Sequence, residues 1–147
     1  MTNRLSRLQT YSMELAEAFR SAPSDLRRAA VVASCKAAVL AAKIDDQKMH
    51  GALQILCGTN NASAALKNDI QVIADEFDKK YFRLLEGTHG VFTPDVLMMF
   101  HKARAASAVS FALSGTADLE ESLYEAIMAS QDKRRIEAVA RIALEPD

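Results

Sequence analysis

The sequence predicts an all-α protein, a single irregular bundle of about six or seven helices over residues 1–147, and three observations carry that expectation. Half of the residues are hydrophobic, yet there are only 5 glycines, 3 prolines and no tryptophan, so strands and long irregular loops have little to be built from. Apolar residues recur at three- and four-residue spacing along most of the chain, the period of a helix face. Two stretches, Leu26 to Ala42 and Val96 to Leu113, are rich in alanine. Alanine removes bulk while keeping helix propensity, so two such helices can approach at the lower end of the roughly 8–10 Å interaxial range. They are expected to pack together at the centre, with the longer amphipathic helices covering them.

From Leu5, the positions Leu8, Tyr11, Leu15, Ala18, Phe19 and Ala22 predict one amphipathic helix that ends before Pro23. Ser24 is placed to cap the first alanine-rich helix, whose stripe reads Leu26, Ala30, Ala33, Ala37, Leu40 and Ala41. Asp45 or Asp46 caps a short helix carrying Met49, Ala52, Leu53 and Leu56, which Gly58 terminates. After a turn at Thr59-Asn60-Asn61 comes the longest periodic run, Leu66, Ile70, Ile73, Phe77, Tyr81 and Leu84, stopped by Gly87. Thr93-Pro94-Asp95 combines a cap, a proline at the first helical position and an early acid, and starts the second alanine-rich helix. That helix ends at Gly115. Thr116 is expected to cap a helix bearing Leu119, Leu123, Ala126 and Ile127, and Asp132 a last one bearing Ile136, Val139, Ala140 and Ala143. The order of amphipathic, alanine-rich and short helix occurs twice. Arg28-Ala29-Ala30 echoes Arg104-Ala105-Ala106, so a duplicated three-helix unit would fit, although a fixed period is missing.

Composition narrows the function classes. The net charge of -1, from 18 basic and 19 acidic side chains, supplies no global field for nucleic acid or an anionic membrane. Lys36, Lys43, His101 and Arg104 interrupt the alanine runs, which are in any case too weakly apolar for a span of about 20 residues. Met1-Thr2-Asn3-Arg4 leads directly into an amphipathic pattern, so the expected location is cytoplasmic. Cys35 and Cys57 do not make a disulfide framework and are expected to stay as thiols.

Residues that could carry chemistry are few. His89 lies between glycines in the only glycine-bracketed loop, Gly87 to Phe92, and with Arg83 before the loop is a candidate for a ligand or active-site loop. Their spacing is similar, over seven residues, to the Arg-to-His motif of helical endoribonucleases of the HEPN type. Gly87 is expected to break the helix between them, so no family is assigned. Asp46 and His50 stand four apart on one helical face with Asp45 adjacent, a ligand pattern for a divalent ion that helix capping explains more simply. Glu120, Glu121 and Glu125 form an acidic run in which Glu121 and Glu125 lie one turn apart, an arrangement that costs roughly 0.2–0.5 kcal/mol. Arg134 and Arg135, with Lys133, oppose the dipole at the start of the last helix.

These five residues, Glu120, Glu121, Glu125, Arg134 and Arg135, are the expected partner-binding surface. The leading functional expectation is a small, non-enzymatic protein-binding module of bacterial type, an adaptor, antitoxin or immunity-like inhibitor, with no cofactor and no metal. The first alternative is a helical enzyme, a ribonuclease or metal-dependent hydrolase, using His89 with Arg83 or Asp46 with His50. The second is a homodimeric structural subunit joined through a ridge of Phe77, Tyr81, Phe82, Val91 and Phe92.

Overall fold

A computed structural model describes residues 4–58 and 61–146; the expected turn at Thr59 and Asn60, together with Met1 to Asn3, lies outside them. The described residues form an all-α bundle of eight helices with no strand: α1 (Arg7–Tyr11), α2 (Met13–Ser21), α3 (Ser24–Ala41), α4 (Gln47–Cys57), α5 (Ala64–Gly87), α6 (Pro94–Ser114), α7 (Leu119–Met128) and α8 (Lys133–Leu144), with a single 3-10 turn at Thr116–Asp118. One contiguous core draws buried residues from every helix.

Local signals place most of the ends. Asp46 Oδ1 accepts a hydrogen bond from the Met49 amide, Thr93 Oγ1 from Val96 and Asp132 Oδ1 from Arg135, as the sequence predicts. Two starts differ. Ser24 is the first residue of α3, and Pro23 occupies its cap without a side-chain bond; Thr116 lies in the 3-10 turn, and α7 begins after Asp118. The expected first helix is two. Ser12 leaves the helical region at φ -158° and ψ 108°, ends α1, and caps α2 by accepting from the Leu15 amide. A second serine, Ser6, caps α1 in a reciprocal box with Gln9.

The arrangement of the alanine-rich helices also departs from expectation. α3 and α6 touch, but each packs more extensively elsewhere: α3 on α8 and α7, α6 on α5 and α7. The short α7 is wedged between them, whereas α4 lies at the edge, so the two three-helix units inferred from sequence are packed differently. The buried face of α3 is Ala30, Val31, Ser34, Cys35, Ala38 and Val39. Ala33 and Ala37 are only half-buried and Leu40 is 80% exposed. A helix with alanine on every side gives no phase to the hydrophobic pattern, and its neighbours decide which face turns inward.

Three buried polar groups join the central helices. The Ser122 hydroxyl on α7 donates to the Ala108 carbonyl of α6 at 2.7 Å, leaving its oxygen to accept from the Cys35 thiol of α3 at 3.4 Å. Burial pushes the Cys35 thiol up to about 12, even though the Ser122 bond acts in the opposite direction, so this cysteine is a packed group and not a nucleophile.

Candidate functional site

The acidic run lies on α7. Glu125 projects from the buried side of α7 and is 2% exposed. It is held by two arginines from other helices: Arg104 of α6 donates through Nη1 to both carboxylate oxygens at 3.1 and 3.0 Å, and Arg7 of α1 donates to Oε1 at 2.8 Å. Arg104 also reaches Asp78 of α5 at 2.6 Å, and Arg7 also reaches Glu121 at 2.9 Å. Glu120 receives a bidentate pair from Arg20 of α2 at 2.6 and 3.0 Å.

Of the expected acidic face, Glu125 is buried, whereas Glu120 and Glu121 make surface ion pairs. All three carboxylates are engaged by arginines of the same chain, and for the buried Glu125 such partners are what makes its charge tolerable there. The hydrogen bond from Arg20 holds the Glu120 carboxyl below its ordinary range against the opposing effect of burial. Partial desolvation works against the charge of Arg7, and the bonds and attraction from Glu121 and Glu125 outweigh it, so its pKa rises. The Arg104 Nε is buried without a partner among the described residues. Arg7 lies 4.6 Å from the Tyr124 ring centroid and Arg104 lies 5.7 Å from that of Phe100, so both guanidinium groups also lean on aromatic faces.

The other candidates separate. His89 is exposed and adopts φ 53°, the left-handed region. Its amide donates to the Glu86 carbonyl and the Gly90 amide to that of Leu85, the bond pair of a Schellman ending in which His89 takes the position that glycine usually fills. α3 ends the same way, with Lys43 at φ 57°, its amide on Leu40 and the Ile44 amide on Val39. Arg83 is exposed on the last turns of α5. The pair therefore sits at a helix ending whose geometry is explained by backbone bonding. His50 pairs with Asp45 at 3.2 Å, not with Asp46, which is occupied as a cap. Among the described residues no group of three or more His, Cys, Asp or Glu is placed to hold a metal ion, and no helix is long and apolar enough to cross a membrane.

A concave site lies where three helix ends meet. The end of α3, the start of α6 and the turn between α7 and α8 enclose a cavity of about 460 Å³. Its apolar wall is Phe92, Leu97, Met98 and Ala129; its polar edge is Lys43, His101, Gln131 and Asp132. Phe92 and Met98 are largely exposed at the rim, and Val91 beside them is 61% exposed. Lys133, Arg134 and Arg135 are exposed on the first turn of α8, immediately after Asp132. Burial, reinforced by the nearby Lys133 charge, lowers the pKa of His101, so at neutral pH the imidazole is uncharged.

The sequence carries a signal for this site in Val91 and Phe92, two members of the expected apolar ridge. Val91 and Phe92 are large apolar residues in a connection, where burial is least available. A second cleft of about 610 Å³ is bordered by Arg20, Arg27 and Arg28 near the start of α3. Two of those cations are already engaged, Arg20 with Glu120 and Arg28 with the Leu56 and Gly58 carbonyls that end α4. No protein-family model matches this sequence, and no curated protein or solved structure matches the chain.

Proposed function

We propose that this chain is a small, non-enzymatic protein-binding module, of the kind an adaptor, antitoxin or immunity-like inhibitor would be, and that its partner docks over the cavity between α3, α6 and the α7–α8 turn. The observation that carries the reading is the combination of exposed Val91, Phe92 and Met98 around an apolar-walled cavity. An exposed apolar rim beside a pocket suits a single large anchor side chain from a partner, the arrangement that concentrates binding energy in protein interfaces. Lys43 lines the cavity and Lys133 lies near its His101, and both favour an acidic segment around that anchor. We keep Arg134 and Arg135, on the same exposed turn of α8 as Lys133, in the proposed surface; Glu125 leaves it because it is buried, and Glu120 and Glu121 because Arg20 and Arg7 of the same chain already engage them.

The test is affinity capture from the native lysate with the wild type and with Phe92→Asp and Met98→Asp. Both substituted positions are exposed, so melting temperature should change little. A stoichiometric partner that is retained by the wild type and lost by both variants is the expected result. Retention by both variants would move the docking surface elsewhere, and ribonuclease activity abolished by His89→Ala would replace this reading with the enzymatic one.

A further inference from the structure

The long helix α5 has an inner and an outer side. Ile70 and Ala74 are buried, Leu66, Ile73 and Phe77 pack against the core, and every one of these positions lies in the stripe that faces α6 and α4. On the opposite side, Asn68, Val72, Asp75, Lys79, Phe82 and Glu86 recur at alternating steps of four and three residues, and all six are exposed. That spacing is the seam of a coiled coil. Val72 is 44% and Phe82 59% exposed, large apolar residues in a seam that no helix among the described residues covers.

We infer that this outer stripe of α5 pairs antiparallel with the same stripe of a second copy of the chain. The stripe is self-complementary. With a two-fold axis at the level of Phe77, Val72 opposes Phe82 of the partner subunit, Asp75 opposes Lys79 of the partner subunit, and Asn68 opposes Glu86 of the partner subunit. The two-fold repeats each contact, giving two central ion pairs flanked by two apolar layers and closed by polar ends. Other registers lose this match. A parallel pair would set Asp75 against its own copy and Lys79 against its own. An antiparallel slip of seven residues toward the C-terminus would set Asp75 against Glu86, and one toward the N-terminus would set Val72 against Asp75.

The charged layer is also prepared by the fold. Ser110 Oγ of α6 donates to Gln71 Oε1 at 2.9 Å, and Gln71 Nε2 donates to Asp75 Oδ1 at 3.0 Å, which fixes the carboxylate beside the seam. The stripe from Asn68 to Glu86 is about 27 Å long at 1.5 Å per residue. A two-helix seam of this length falls at the small end of specific interfaces, so the expected dimer is weak, with Kd in the micromolar range or above.

The test is sedimentation equilibrium of the full chain over micromolar to millimolar concentration. The wild type should dimerise reversibly. Lys79→Asp and Asp75→Lys, each alone, should weaken self-association at least about tenfold by placing like charges in the central layers. Mixing these two variants should restore association as a heterodimer, because every central contact is then between opposite charges. A wild type that stays monomeric at millimolar concentration would overturn the inference. So would single variants that dimerise like the wild type, or a mixture that fails to pair while both components melt normally. None of these outcomes depends on Phe92 or Met98, so the two proposed surfaces stand or fall separately.

Discussion

α7 has ten residues and six of them are buried; α5 has twenty-four and two of them are buried. The shorter helix lies between α3 and α6, supplies the serine that links them, and places a carboxylate where two arginines converge. The longer one covers α6 with one stripe and leaves the other to solvent. The difference teaches that amphipathic regularity marks a helix at the surface, where one side stays wet, and that a helix at the centre is recognised by what its polar residues find to bond.

The comparison breaks most sharply at the buried charge. Glu125→Ala should destabilise by about 1.5–3 kcal/mol, because Arg104 and Arg7 lose a buried charged acceptor and Arg104 keeps only Asp78. Glu76→Ala, on the exposed side of α5, should stay within about 0.5 kcal/mol. Urea denaturation of both variants checks this pair. Equal losses would show that α7 is less central than its packing indicates.

Volume gives the next largest contrast. Ala126→Leu in α7 should overpack a fully buried site and cost about 1–3 kcal/mol. Ala65→Leu in the first turn of α5 is exposed and should be accepted within about 0.5 kcal/mol. Differential scanning calorimetry would report the difference as a lower melting temperature for the first variant only.

The end of α5 offers a gain. His89→Gly should stabilise by roughly 0.5–1 kcal/mol, since glycine adopts the left-handed conformation without the steric cost that histidine carries there. A loss on this substitution would show that the His89 side chain makes a contact worth more than its backbone strain. Thermal melts of the two forms decide the sign.

Acid should produce the smallest and most gradual effect. The pKa of His101 is lowered from 6.5 by burial and then by Lys133, so the unfolded chain binds the proton more readily. Stability is unaffected above that value and falls as pH drops through the folded-state value. Glu120, held low by Arg20, adds a second loss below its ordinary 4.5. Urea midpoints measured from about pH 8 to about pH 2 should show both steps, with the first removed by His101→Gln.

Much of the secondary structure was legible because its signals are local. Thr93-Pro94-Asp95, Asp46 and Asp132 fix helix starts through atoms three residues away, and that distance is visible in a sequence. The break at Ser12 was legible too, in two capping serines six residues apart, but a continuous apolar stripe concealed it. For the candidate site, Phe92 was legible as a large apolar residue in a connection. The cavity was not, since it is made by Lys43, Phe92, His101 and Ala129 from separate elements.

By itself, then, the sequence determined the helical class, the two alanine-rich segments, most helix ends and the amphipathic phase of α5, because propensity, capping and periodicity act within a few residues. Only the tertiary structure decided which face of α3 is buried, that α7 is the central helix, and that Glu125 is an interior ion-pair acceptor. Its partners Arg7 and Arg104 lie 118 and 21 residues away along the chain. A carboxylate in a sequence looks the same whether water or an arginine will meet it, and packing alone makes that choice.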